Sequence, residues 1–351
     1  MPIRLPRIGR SQSPVGVEIG GDAVRMLQTT ALGSDRIRRV AVVPRSADGS
    51  IDSQRLRRAW RGFSSLDAVV SLDDDCVDVR PGRLPRLAGE ELREAARWEI
   101  AGMLERDGAD LVAESMSVGR DVAEDGRVEM LLIAADRRTI GERLDPLLEV
   151  GIRPIAVEPV FLAAGRAFAM RSRRDDEREV VRVVVKTDAA TTWISVMRGD
   201  GVVFAKLVPI GTRDFDQALA TNLSIDLEEA ARTRSDAARG EAEPLVVASI
   251  ADAVRRASRG LIGEVAMAIR YSTKAARLSR PVGIHLAGIG ASTPGLSEAL
   301  GSGIPGVPVV GDSPTAQRLA DLPVTGHESL AWATAFGLAI RPTDDAREAA
   351  A

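Results

Sequence analysis

Apolar and polar positions along this 351-residue chain fall into a unit that occurs twice. Val15–Ile19 is a short apolar run, Gly20-Gly21-Asp22 a tight polar turn, and Val24–Thr29 a second run, which together predict a strand, a turn and a strand. Gly33-Ser34-Asp35 turns the chain again, and Arg36–Val43 predicts a third strand ending at Pro44. About half a chain later the order returns. Val180–Lys186 reads as a strand, residues 187–190 as a turn and Thr191–Arg198 as a strand. Gly199-Asp200-Gly201 turns the chain, and Val202–Val208 runs to Pro209-Ile210-Gly211. A β-turn-β-turn-β unit repeated at that distance is an internal duplication. Helical sequence follows each copy, at residues 52–62 and then at Arg213–Ala220 and Leu227–Arg239, so each half predicts an α/β layered fold.

Between the copies, Ala68–Leu72 is strand-like, and Val77-Asp78-Val79-Arg80 leads to Leu84-Pro85. Leu92, Ala96, Ile100 and Leu104 recur at every fourth position, which predicts one apolar helix face over Gly89–Leu104. Val128–Ala134 predicts a strand, Arg137–Val150 a helix ended by Gly151, Ile155–Val157 a strand, and Val160–Met170 a helix. Arg171–Glu179 carries many charges and no apolar residue, and reads as an exposed connection between the halves. Further on, Leu261, Val265 and Ile269 mark a long helix, Val282–Leu286 and Val307–Val310 read as strands, and Leu330–Ile340 as a helix of small apolar residues.

Composition narrows the classes. Aromatic residues make up 3% of the chain, so its core rests on Val, Leu, Ile and Ala. A net charge of −3 gives no general field for nucleic acid. One cysteine, Cys76, rules out an intrachain disulfide and suits a reducing compartment. Two histidines, His285 and His327, make a zinc site a poor expectation, and His285 in its apolar run reads as structural. No apolar run approaches the ~20 residues of a membrane-spanning helix, and the chain reads as cytoplasmic.

The candidate chemistry lies in the turns. A hairpin turn of glycines and small residues presents unpaired backbone N–H groups, and a missing side chain lets phosphate approach. Gly20, Gly21 and Asp22 form such a turn, and Glu18 stands where a carboxylate can hold Mg²⁺ through water. Glycine turns mostly only reverse a hairpin, but the order of motifs adds weight. Gly288-Ile289-Gly290-Ala291 follows a strand and precedes Pro294-Gly295-Leu296.

With these motifs in this order the chain resembles the actin-like ATPase superfamily, which carries phosphate hairpins in both halves and a late glycine-rich adenosine loop. Within it the chain is similar, over residues 14–341, to the PilM family of type IV pilus assembly proteins. Val15–Val24 resembles that family's opening hairpin. Glu90–Ala95 with Arg97-Trp98-Glu99 resembles an acidic helix, and Ala156–Pro159 the strand end before its central helix. Val208–Gly211 resembles the end of its third strand, Glu228-Glu229-Ala230 its adenine-side helix, and Leu286–Gly288 through Leu296 its adenosine loop.

The resemblance implies an α/β fold of two ribonuclease-H-like, actin-like ATPase lobes with a small inserted α+β subdomain. The expected division is a basic arm at 1–13, a first lobe at 14–72 plus 153–178, the inserted subdomain at 73–152, a second lobe at 179–341 and a disordered tail at 342–351. It implies ATP with Mg²⁺ as the cofactor, touched by Glu18, Gly20, Gly21, Asp22, Asp188, Glu229, Arg234, Gly288, Gly290 and Ala291. It implies a place at the inner face of the inner membrane, peripheral to it. There the chain would bind the N-terminal peptide of a PilN-like membrane protein and other pilus or secretion platform proteins.

Several positions depart from the family's pattern. Glu18 replaces an aspartate, and Gly21 a serine-like residue. The second hairpin has Lys186, Thr187 and Asp188 where Asp-Ile-Gly is expected. Lys186 reverses the charge expected beside a metal and can stand in for it as a point charge, while Asp188 puts a carboxylate where phosphate approaches a glycine. Ile289 replaces a glycine of the adenosine loop, and Arg234 the adenine-side lysine. Together these changes argue against phosphoryl transfer, which depends on charge placed at the β- and γ-phosphates. The expected function is a scaffold with nucleotide binding weak or lost, no catalytic residue and no metal ligand set; the alternative is an active ATPase or small-molecule kinase.

Overall fold

The computed structural model describes residues 13–342, except 33, 47, 73, 123–125, 170–176, 275, 312, 321 and 323–325. The expected basic arm and tail, apart from Ser13 and Pro342, and most of the charged connection at 171–179 lie outside the described residues.

The first half runs β1 (Val15–Ile19), β2 (Ala23–Thr29), β3 (Ile37–Pro44), α1 (Ser53–Trp60) and β4 (Asp67–Leu72). A 3-10 turn at Asp74–Cys76 leads to β5 (Asp78–Pro85), α2 (Gly89–Leu104), β6 (Leu111–Val122), β7 (Arg127–Asp136) and α3 (Arg137–Glu149), then β8 (Arg153–Pro159) and α4 (Val160–Phe168). The second half runs β9 (Val181–Thr187), β10 (Thr192–Arg198) and β11 (Gly201–Val208), then α5 (Thr212–Leu223), α6 (Leu227–Ala238), α7 (Pro244–Ala257) and α8 (Arg259–Lys274). It closes with β12 (Ile284–Ala287), α9 (Leu296–Gly303), α10 (Pro314–Ala320), a 3-10 segment at Gly326–Trp332 and α11 (Ala333–Ala339).

Two sheets share one plan. The first has the order β3-β2-β1-β4-β8, with β1, β2 and β3 antiparallel and β4 and β8 added in parallel. The second has the order β11-β10-β9-β12, again an antiparallel hairpin pair with a parallel strand beside its first member. These are the two ribonuclease-H-like lobes of an actin-like ATPase fold. β1 and β9 lie inside their sheets and are buried along almost their whole length, with Val15, Val17 and Ile19 in the first and Val181 and Val183–Val185 in the second, while Glu18 and Lys186 are buried polar residues near their ends.

The third sheet, β5-β7-β6, is antiparallel, and α2 covers one of its faces. Ala96 and Ile100 of the expected apolar helix face are fully buried there, with Leu92 and Leu104 partly buried around them. α3 turns back to the first sheet, where Leu147 joins Val15, Val17, Leu56 and Trp60 in one core. α4 and α11 lie between the two large sheets. Phe161 of α4 packs on Trp193 of β10 with ring centroids 4.6 Å apart. Gly337 of α11 lies so close to α4 that a Cβ there would overlap the Ala163 carbonyl oxygen.

Several elements differ from the sequence reading, and helices α7 and α10 were not expected. β6 was not expected: only Leu111 and Ala113 begin an inward alternation, and the serines that follow hide it. The strand expected over Val307–Val310 makes a single parallel bridge, Ile284 to Val309, because Pro308 has no N–H to extend a ladder. The helix expected over Leu330–Ile340 becomes α-helical only from Ala333.

Candidate functional site

The ends of β1 and β9, strands of opposite lobes, bring Glu18 and Lys186 together. The Lys186 ammonium lies 3.3 Å from Glu18 Oε1 and also pairs with Asp188 at the turn of its own hairpin; the Lys186 side chain is 2% exposed. A third carboxylate, Asp74, follows β4 and accepts hydrogen bonds from Thr191 Oγ1 at 2.5 Å and Trp193 Nε1 at 2.8 Å. Two cross-lobe links therefore meet at the cleft.

Charge in this group is finely opposed. Burial pushes the Glu18 carboxyl above the usual carboxylate range, against the pull of Lys186 and Arg25. Burial also raises Asp74, with Lys186 opposing it. Burial works against the ammonium of Lys186 too, but Asp188, Glu18 and Asp74 together hold its pKa above the ordinary lysine value. The other Glu18 oxygen, Oε2, and the Thr334 hydroxyl are buried without a hydrogen-bond partner among the described residues.

Both hairpins expected to hold phosphate are filled from within. In the first, Arg25 reaches back across the turn to Asp22 with bonds of 3.0 and 2.6 Å. That pair crowds Gly20, where a Cβ would lie 3.2 Å from both the Arg25 and Asp22 side chains, while Gly21 faces open space. In the second, the first amides of α5 point at the hairpin itself: Thr212 N–H donates to the Asp188 carbonyl at 2.8 Å and Arg213 N–H to that of Ala189 at 2.9 Å. A helix N-terminus is a ready anion site, but here protein carbonyls take its donors.

The glycine loop at 288–291, expected to meet adenosine, packs onto the same hairpin. Gly290 N–H donates to the Thr187 carbonyl at 2.9 Å, and Gly288, at φ +82°, sits where a Cβ would come 2.9 Å from the Asp188 carboxylate. Ala291 N–H is used within the loop, by Gly288. On α6, Glu229 is exposed and its amide is capped by Asp226. Arg234 is committed to Asp216 of α5 through bonds of 2.5 and 3.2 Å.

The structure thus gathers Glu18, Asp188, Gly288 and Gly290 at one place, with Gly20 and Asp22 on the facing hairpin. Glu229 and Arg234 make no hydrogen bond or ion pair with the Lys186 group. Asp74, Arg25 and Thr334 were not singled out from the sequence. The run Asp73-Asp74-Asp75, directly after a buried strand, was the available signal for the first. A buried ammonium between Glu18 and Asp188, and a carboxylate over the Gly288 turn, do not fit a magnesium-bound triphosphate. Among the described residues no group of three His, Cys, Asp or Glu side chains has the geometry to hold a metal ion. No helix is long and apolar enough to cross a membrane, again among the described residues.

A family model described as "Type IV pilus assembly protein PilM" matches residues 85–343, well over half of the chain. The chain belongs to the PilM family. Among solved structures, the PilM-PilN type IV pilus biogenesis complex is similar to it with a TM-score of 0.75 and 20% identity, covering 96% of this chain and 100% of that one. The ethanolamine utilization protein EutJ from Carboxydothermus hydrogenoformans is similar with a TM-score of 0.52 and 17% identity, covering 96% and 90%. At these identities the likeness carries the PilM-type fold alone. No curated protein matches the chain by sequence.

Proposed function

We propose that this PilM-family protein is a scaffold of a type IV pilus or related secretion platform. Its ligand is the cytoplasmic N-terminal peptide of a PilN-like membrane protein, held at the inner face of the inner membrane. The observation that carries the scaffold reading is the place of Lys186: its buried ammonium pairs with Glu18 and Asp188 and fills the space between the two hairpins with the protein's own charge. Nucleotide binding is weak or lost, and the cleft is closed by the protein's own charges. The solved PilM-PilN complex of the same fold supports the choice of partner.

The groove offered to the peptide lies between the third sheet and the first lobe. It has a volume of about 500 Å³ and is lined by Cys76, Asp78, Arg106, Asp136, Thr139 and Glu142, among others. Side chains of both signs there suit a short peptide whose charges fix its register.

Calorimetry on the full chain tests the reading. The PilN-like N-terminal peptide binds with the same affinity with and without Mg-ATP, Arg106→Glu weakens it, and Mg-ATP alone gives no binding heat. Turnover of Mg-ATP, or a peptide affinity that depends on it, would overturn the scaffold reading in favour of the ATPase alternative.

A further inference from the structure

One end of the first sheet concentrates positive charge that the cleft does not use. Between residues 36 and 61 the chain has eight arginines against two aspartates, a net +6, in a protein whose total is −3. The rest of the chain therefore carries −9. The fold gathers part of this stretch at the end of the sheet away from the Gly20 turn. Arg39 on β3 is paired in register with Gln28 on β2, and Gln28 Oε1 accepts from Ser64 while its amide donates to the Ser13 carbonyl at 2.9 Å. The Arg39 guanidinium lies 5.6 Å from the Phe63 ring and against Gly62. β3, the α1–β4 connection and the entry of the chain at Ser13 thus share one end.

Arg36, Arg38, Arg39 and Arg61 are exposed there. Arg36, Arg38 and Arg39 line a shallow hollow of about 290 Å³ at the β3 edge, where Asp35 is paired with Arg318, and Arg61 precedes Gly62, which lies against Arg39. Arg36, Arg38 and Arg61 make no ion pair among the described residues. Two leucines accompany them, Leu32 in the β2–β3 turn at 45% exposed and Leu66 before β4 at 60%. In the sequence, residues 1–12 before Ser13 include Arg4, Arg7 and Arg10.

A few charges suffice to blunt an edge strand against pairing, but Arg61 and both leucines lie off that edge. Bases need aromatic platforms, and here Trp60 is buried and Phe63 is already covered by Arg39. Exposed leucines among unpaired arginines match a bilayer whose surface is anionic and whose interior is apolar. We propose that this end of the first lobe is a direct docking face for anionic lipid headgroups. The negative remainder of the molecule is repelled by the same surface, which orients the protein with this end down and the cleft away from the lipid.

The test is flotation of the full chain with protein-free vesicles of phosphatidylcholine alone, or of equal parts phosphatidylcholine and phosphatidylglycerol. No membrane protein is present, so the result is independent of peptide binding. The chain floats only with the anionic vesicles, and is released at about 1 M salt, where screening acts within ~3 Å. The triple change Arg36→Gln, Arg38→Gln and Arg61→Gln lowers the partition coefficient by roughly 100-fold, from a few-fold loss per arginine near an anionic surface. Arg232→Gln, on the distant exposed face of α6, leaves it unchanged. Leu32→Ser with Leu66→Ser weakens binding in the low-salt buffer, which a purely ionic contact would not show. Unchanged thermal midpoints confirm that these surface variants are folded. Equal recovery from both vesicle types, insensitivity to the triple change, or binding to duplex DNA in place of vesicles would each overturn the assignment.

Discussion

Glu18 and Lys186 occupy equivalent positions of the duplicated hairpins, each next to last in its strand, and they meet at 3.3 Å with opposite charges. In this chain the two copies of one motif are therefore each other's ligand. Replacing Lys186 with methionine leaves Glu18 buried, and Asp188 and Asp74 partly buried, without that cation. Breaking a buried pair in this way costs about 3–5 kcal/mol. Urea unfolding will show that loss, and Glu18→Gln combined with Lys186→Met will recover part of it. Strictly additive losses would show that the two residues do not act as a unit.

Asp74 is the second tie across the cleft. Asp74→Ala strips the acceptor from Trp193 Nε1 and Thr191 Oγ1, and an unsatisfied buried donor costs about 1–3 kcal/mol. The change also removes a negative neighbour from Lys186. Trp193 is 2% exposed, so a loosened cleft registers as a red shift and greater quenching of its fluorescence. An unaltered emission spectrum and midpoint would mean that Asp74 links nothing of consequence.

His285 gives the protein a titration of its own. Burial, with Arg182 nearby, pushes its imidazole down to about 4 from an ordinary 6.5, and the ring stacks on Phe168 at 5.0 Å. A depressed folded pKa means that the unfolded chain takes up the proton first. Stability is therefore full above about 6.5 and is lost as pH falls toward about 4, by roughly 3 kcal/mol from the shift at 1.36 kcal/mol per pH unit. His285→Phe removes this component of the stability–pH curve between those limits. A curve of the same slope in the variant would assign the loss to other groups.

Gly337 tests the helix contact between the lobes. An added methyl must displace the backbone of α4 at Ala163 rather than a mobile side chain. Gly337→Ala then costs about 1–3 kcal/mol or more, the range for overpacking a close contact, despite the better helix propensity of alanine. A stabilised variant would show that α4 and α11 have room to separate.

The duplicated hairpins were legible because buried strands gather valine and isoleucine into short runs, and turns of glycine and small polar residues punctuate them. Lys186 and Asp188 could be read as damage to a phosphate loop for the same reason: their positions were fixed by the neighbouring pattern. What those residues do instead was not legible. Asp74 lies more than a hundred residues from Thr191, and no local pattern marks an acceptor whose donors are that distant. The return of α3 to the first sheet was hidden too, since its apolar residues are compatible with either neighbouring layer. The arginines of β3 and α1 were visible one by one, but their shared surface depends on the β2–β3 register and the bond from Gln28 to Ser13.

α11 has a consequence for how this protein is made. Gly16, near the start of the chain, packs directly on the α11 backbone, and Leu338 closes over Val69. The strands of the first sheet leave the ribosome well before the helix that covers them. Until then one face of β1 has no native cover, and a polypeptide stopped short of residue 333 never gains one. Completion of the first lobe is thereby conditional on synthesis through α11, so a product truncated before it exposes its own defect to proteolysis.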